Sequence, residues 1–371
     1  MNPFFKIKAA LMSAAMNKKK NEYFDVVSAD LSQLDRNADP LVNNSYFFGG
    51  YGMDGSCFTM RLGQRTNGTA EIFVMLVMPD GRYLASEKQE YPLDEAPIKV
   101  RNIIPARDWN VVYEGTMVDM NDGSKHECTL RFDYTARLPI FYPMRDGDLR
   151  GIAESFARRR WNKAFFKSLA GDTGVNNEGS KTKQIHYEQT GRLVGSVTLD
   201  GIETQFSYAG IRDRAFGKRD WNYMNVHIWL IAATPQGEVM NFSIVSYPHA
   251  SNMFCGYCDY DEDRNYALSD YKIISYDHNN GVGPEEMIVD CKFTNGKTYR
   301  VKTHRQHDLV TKFDGGNFYF HEAVGDFTFT TIPDLGCEPL PGAKVINAKG
   351  TIEMGWNKDS SRWGTYDKDK D

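Results

Sequence analysis

The residues best suited to chemistry lie between Gly210 and Trp221. There an Arg-Asp pair occurs twice, as Arg212-Asp213 and Arg219-Asp220, around Gly217 and just before Trp221. Alternation puts Phe206, Tyr208, Gly210 and Arg212 on one strand face, so an inward Tyr208 carries Arg212 inward with it. A buried guanidinium needs a partner, and Asp213, Asp220 and Glu188 are the candidates. Two roles stay open for Arg212: a salt-bridge lock on the turn, or a polar group facing a ligand at a cavity mouth. Upstream, His186 and Glu188 share a strand face, an arrangement suited to acid–base work if burial tunes the carboxyl group. An ordinary polar strand face is the alternative. The candidate catalytic residues are thus Glu188, Asp213 and Asp220; the candidate ligand-binding residues are Arg212, Arg219, Trp221, His186 and Tyr208.

Other chemistries find little support. Cys255 and Cys258 have CxxC spacing, but neither a second pair nor suitably spaced histidines follow, so they read as structural thiols. His304 and His307 fall on opposite faces of a strand and make no metal edge. His321, Glu322 and Glu353 read as isolated polar positions near strands. Phosphate loops, nucleophile elbows and HExxH pairs are lacking. Neither a metal nor a cofactor is expected.

The elements that must position these residues are strands. The chain has 371 residues, six of them cysteine, too few for a disulfide scaffold and long enough for two domains. Aromatic residues make up 13% and charged ones 25%, typical of a folded, sheet-rich protein. Cys128, Leu130, Phe132 and Tyr134 alternate with polar residues, as do Met240, Phe242 and Ile244, then Met287, Val289, Cys291 and Phe293. Turn signals at Asp200-Gly201, Asn295-Gly296 and Asp314-Gly315-Gly316 separate such runs. A helical period appears between Asp146 and Leu169, through Ala153, Ala157, Trp161, Ala164 and Phe165. The expected organisation is a polar lead-in (1–40), a β domain ending in that helix (41–170), a linker (171–183), a second β domain (184–356) and a disordered tail (357–371). Closed barrels remove exposed edges, and about eight strands can enclose one small apolar ligand. The net charge of −5 argues against a nucleic-acid surface. No apolar run suffices for a transmembrane segment, and the expected location is cytoplasmic.

His186-Tyr187-Glu188-Gln189, Gly210-Ile211-Arg212-Asp213 and Phe216-Gly217-Lys218-Arg219-Asp220-Trp221 resemble an uncharacterised family with a Gly-x-Arg-Asp-His-Ser-Trp/Phe-Gly-x-Arg-Asp-Trp signature. Asn44 to Phe48 and Asn67 to Glu71 extend the resemblance over most of 40–355. That family is similar in organisation to calycin-like proteins, including carotenoid 1,2-hydratases, hydroxyneurosporene synthase-like proteins and fungal Diels–Alderases. The resemblance implies an all-β fold of two tandem lipocalin-like antiparallel barrels with a connecting helix, and a ligand site in or between them. It implies an apolar or amphipathic small-molecule partner of polyene, terpenoid or polyketide type. Two functions follow: a cofactor-free hydratase, isomerase or cyclase, or a non-catalytic lipid or metabolite carrier whose Arg-Asp pairs are structural. Arg214-Ala215 stands where the signature has His-Ser, so no role passes to those positions.

Overall fold

The computed structural model describes residues 4–20, 25–167, 185–260, 263–276, 283–313, 317–359 and 361. Ten strands form the first sheet: β1 (Val42–Tyr51), β2 (Cys57–Arg65), β3 (Thr69–Val77), β4 (Tyr83–Ser86), β5 (Glu90–Pro92), β6 (Ile98–Ile104), β7 (Asp108–Asp119), β8 (Lys125–Ala136), β9 (Ile185–Leu199) and β10 (Ile202–Lys218). Eight of them close into an antiparallel ring in the order β1-β2-β3-β4-β7-β8-β9-β10, with β10 pairing back onto β1. Strands β5 and β6 attach at the rim, to β3 and β7. The second barrel is β11 (Val226–Ala233), β12 (Val239–Tyr247), β13 (Ala250–Cys258), β14 (Tyr266–Tyr276), β15 (Glu286–Phe293), β16 (Thr298–Phe313), β17 (Phe318–Thr331) and β18 (Val345–Asn357), closed by β18 against β11. The protein is therefore two tandem lipocalin-like barrels, as the strand pattern and the resemblance implied.

The expected boundary is wrong. Strands β9 and β10 fall in the supposed second domain, yet they complete the first barrel: β9 pairs with β8, and β10 with β1. The second barrel starts at Val226, not at 184. The physical reason is closure: without β9 and β10, the edges of β1 and β8 would be unpaired. A two-residue turn at Asp200 (φ 49°) and Gly201 (φ 84°) joins them, with the left-handed backbone that tight hairpins need. At Gly210 the β1 backbone comes so close that a Cβ would stand 1.9 Å from the Gly49 carbonyl oxygen. The expected linker and most of the expected tail lie outside the described residues.

Both barrels are filled by their own side chains. Phe48, Phe58, Trp109, Phe132 and Tyr134 pack the first, and Phe242, Phe254, Tyr271, Phe293 and Trp356 the second. A third apolar cluster joins the outer faces of the two barrels; in it Phe47 of β1 meets Trp229 of β11 at a ring-centre distance of 5.1 Å.

Helices cover one side of this junction. The expected 147–169 helix is interrupted: α4 spans Leu149–Arg158 and stops where Arg159 turns extended (ψ 151°), after α3 (Pro143–Asp146), and helical backbone resumes over 163–167. The lead-in is not a passive tail. It forms α1 (Phe5–Lys20), packed on α4, and α2 (Val26–Leu31). Lys8 donates from Nζ to the Ala157 carbonyl at 3.0 Å, meeting the carbonyls left free at the end of α4. Among the described residues, no helix is long and apolar enough to cross a membrane.

Candidate functional site

A cavity of about 630 Å³ lies between the barrels, beneath α1 and α4. Met12 and Met16 of α1, Ile152 and Phe156 of α4, Phe47 of β1, and Trp229, Met253 and Phe254 of the second barrel supply its apolar wall. Its polar groups come from strand faces that point outward from each barrel. Alternation along β10 therefore separates the candidates: Arg212 and Arg214 go into the first barrel, and Asp213 goes out to the cavity.

On the first barrel, His186 ion-pairs through Nε2 with Asp213, and the same nitrogen is 3.6 Å from Glu188 Oε1. Asp213 and Glu188 stand directly opposite each other on β10 and β9. Glu188 sits behind the pair, 2% exposed, and accepts a hydrogen bond from Asn241 of the second barrel. Burial, opposed by His186 and reinforced by Asp213, pushes the Glu188 carboxyl up to about 8. Burial disfavours protonated His186, but Asp213 and Glu188 outweigh that effect and hold the imidazole above its ordinary pKa. Donor atoms of His186, Glu188 and Asp213 all lie within 4.8 Å of one another, near enough for one small cation to replace the shared proton.

The second barrel offers a matching arrangement. His227 Nε2 is 2.5 Å from Glu353 Oε1, and both residues line the cavity. Glu322 stands directly opposite Glu353 across β17 and β18 and is fully buried. Two carboxylates so placed in low dielectric cannot both ionise. Burial, then the Glu353 charge, raises the Glu322 carboxyl well above its ordinary value. Each barrel thus presents a histidine bound to a carboxylate, with a second, proton-holding carboxyl group behind.

A third polar group surrounds Trp221. Asp220 caps the short turn Trp221–Tyr223 by accepting from the Asn222 N–H at 3.0 Å, which fixes the indole. The Arg219 guanidinium lies 5.2 Å from the indole centre and that of Arg61 6.0 Å, and all three residues line the cavity. Gly63 makes room for Arg61, since a Cβ there would meet the guanidinium at 2.6 Å.

Of the residues singled out in the sequence, His186, Asp213, Arg219 and Trp221 come together on the cavity, with Glu188 immediately behind. The others do not join them. Arg212 is 2% exposed inside the first barrel and donates to both Asp30 oxygens, at 3.0 and 3.1 Å, and to Gln189 at 2.8 Å. Its partner is none of the three expected carboxylates but Asp30 of α2, and it does not line the cavity. Tyr208 packs on Phe206 in the same interior and donates to Ser56 Oγ at 2.6 Å. Asp220 is occupied with its cap. Arg214, in place of the signature histidine, is buried over Tyr46, where it bonds Asn44 and Ser32. Sequence reasoning missed Arg61, His227, the Glu322–Glu353 pair and the cavity wall from α1. Glu353 had one usable signal, since it lies out of phase with Ile346, Ala348, Ile352, Met354 and Trp356, whereas Glu322 shares the parity of Phe318, Phe320 and Val324 and had none. Cys255 lines the cavity as a free thiol, and burial pushes it up to about 12.

The fold and this inter-barrel site define a class: tandem-barrel proteins with a cavity between the barrels. Residues 28–331 match the model of a domain of unknown function, DUF7064, and the chain belongs to that family. No curated protein matches it. Among solved structures, CghA is similar with a TM-score of 0.50 and 11% identity, over 87% of this chain and 90% of that one. Kievitone hydratase from Nectria haematococca is similar with a TM-score of 0.50 and 10% identity, over 91% and 96%. At such identities the likeness is one of fold.

Proposed function

We propose that this protein binds an apolar or amphipathic small molecule between its barrels and catalyses a cofactor-free proton transfer on it, in a hydration, isomerisation or cyclisation. The observation that carries this reading is the convergence of two histidine–carboxylate pairs, His186–Asp213 and His227–Glu353, on one largely apolar cavity. Adding water across a double bond, moving that bond or closing a ring by protonating an alkene and then losing a proton each requires one proton to be given and another taken. Two pairs on opposite barrels can divide the work. His186, held protonated by Asp213, serves as donor, and Glu353 with His227 as acceptor. Glu188, which keeps a proton behind His186, can restore the donor after turnover, and the proton taken by Glu353 and His227 leaves to solvent. The fold shared with a hydratase is compatible with this chemistry and does not carry it.

The experiment starts with native mass spectrometry of the protein from its own source, to find a co-purifying ligand. Wild type should convert that ligand or a close relative. Asp213→Asn and Glu353→Gln should still bind it, within about tenfold, and lose roughly 10²–10⁴ in turnover. A wild type that returns every such ligand unchanged is a carrier, and the proposal fails.

A further inference from the structure

One cation beside Trp221 has no carboxylate of its own among the described residues. Arg61 and Arg65 share one carboxylate, Glu71, at 3.7 and 3.1 Å. Both arginines are almost wholly buried, at 6% and 5% exposed. Arg65 also donates to the Arg219 carbonyl at 3.4 Å, so the three residues are physically linked. The Arg219 guanidinium lies over the indole face and borders the cavity, and among the described residues no carboxylate pairs with it. The neighbouring acids are engaged elsewhere. Asp220 caps its turn, Asp39 pairs with Lys218 at 3.1 Å, Asp213 pairs with His186, and Glu353 with His227. Arg219 therefore stands at the polar end of an apolar cavity with no carboxylate of its own among the described residues. Burial, with the neighbouring Arg65 and Arg219, depresses the Arg61 pKa to about 10, against the pull of Glu71 and Glu353.

An unbalanced cation costs least where a ligand supplies the missing charge. A guanidinium lying flat on an indole keeps its N–H edge free for an oxyanion. We propose that the cavity takes an amphipathic acid, its carboxylate or equivalent oxyanion on Arg219 beside Trp221, its apolar body along Phe47, Phe156, Trp229 and Phe254. This rests on the reading that the cavity is the ligand site, and it adds the class of ligand.

The test is displacement of the neutral dye Nile red from the full-length protein by dodecanoate and by dodecan-1-ol, at about pH 8, where the acid is ionised. The two competitors share a chain and differ at the head. Wild type should bind dodecanoate at least about tenfold more tightly than the alcohol. Arg219→Gln should bind the alcohol as wild type does and bring the acid within about twofold of it, and Arg219→Lys should keep part of the preference. Equal affinities in wild type, or a preference that survives Arg219→Gln, overturn the assignment while leaving the cavity as an apolar site. Equal weakening of both competitors by Arg219→Gln gives Arg219 a structural role and also overturns it. If neither competitor nor dye binds wild type, the cavity reading fails, and this inference with it.

Discussion

Arg212 and Asp30 are 182 residues apart in sequence, and both side chains are at most 2% exposed. Removing one member of such a pair strands a charge in low dielectric. Arg212→Ala should therefore destabilise the protein by about 3–5 kcal/mol in urea unfolding, and adding Asp30→Asn should recover part of that loss. A single variant within 1 kcal/mol of wild type, about the value of an exposed pair, would contradict the lock. Glu188 makes a prediction of opposite character. Folded, it keeps its proton up to about pH 8; unfolded, it releases it near pH 4.3 or so. Between those values the folded state binds more protons than the unfolded one, so stability must fall as pH rises. His186 acts in the same direction, because its raised pKa contributes stability at low pH that is lost as pH climbs through the folded value. Urea midpoints should decline from about pH 5 to 8, and Glu188→Gln should flatten the decline without abolishing it, since Glu322 remains. An unchanged slope would count against the buried, protonated Glu188. At this scale the sequence was informative about need but not about partner. Alternation showed that Arg212 requires a partner, but the carboxylates it suggested, Asp213, Asp220 and Glu188, were the wrong ones. Nothing local identified Asp30, because α2 is six residues long and its pairing is set by barrel closure.

Alternation made most of the strands legible, in β8, β12 and β15 above all, because each carries one apolar face against a barrel interior. The boundary was not legible. A polar, glycine-rich stretch marks where chain can be spared, and barrel closure is decided by which strand finds an open edge. A protease site introduced between 171 and 183 tests this directly. After cleavage the two pieces should co-elute in native size-exclusion chromatography and part only in denaturant, because β9 and β10 stay in the ladder with β8 and β1. Pieces that separate without denaturant would restore the boundary at 184. The helix also came out differently, for a local reason: Arg159 leaves α4 so that its guanidinium can reach the Tyr247 carbonyl at 3.1 Å.

Across the whole molecule, the candidate site is a surface that neither barrel has alone. The interiors are packed, and the cavity is formed where outward faces meet: Asp213 and His186 from one barrel, His227 and Glu353 from the other, and Met12 and Met16 from a lead-in that reads as solvent-facing. No sequence pattern announces such a place, because outward polar residues look alike whether they meet water or a second barrel. Its chemistry was half legible, since His186, Glu188 and Asp213 were recognisable and their counterparts His227, Glu322 and Glu353 were not. The central claim is that these two pairs move protons on a bound molecule. It is tested most directly by holding the protein with its co-purified ligand in heavy water and following the ligand's mass. Wild type should place solvent deuterium on ligand carbon, and Asp213→Asn and Glu353→Gln should each slow that incorporation by roughly 10²–10⁴ while still binding. Ligand that stays bound to wild type and gains no deuterium on carbon would contradict the account.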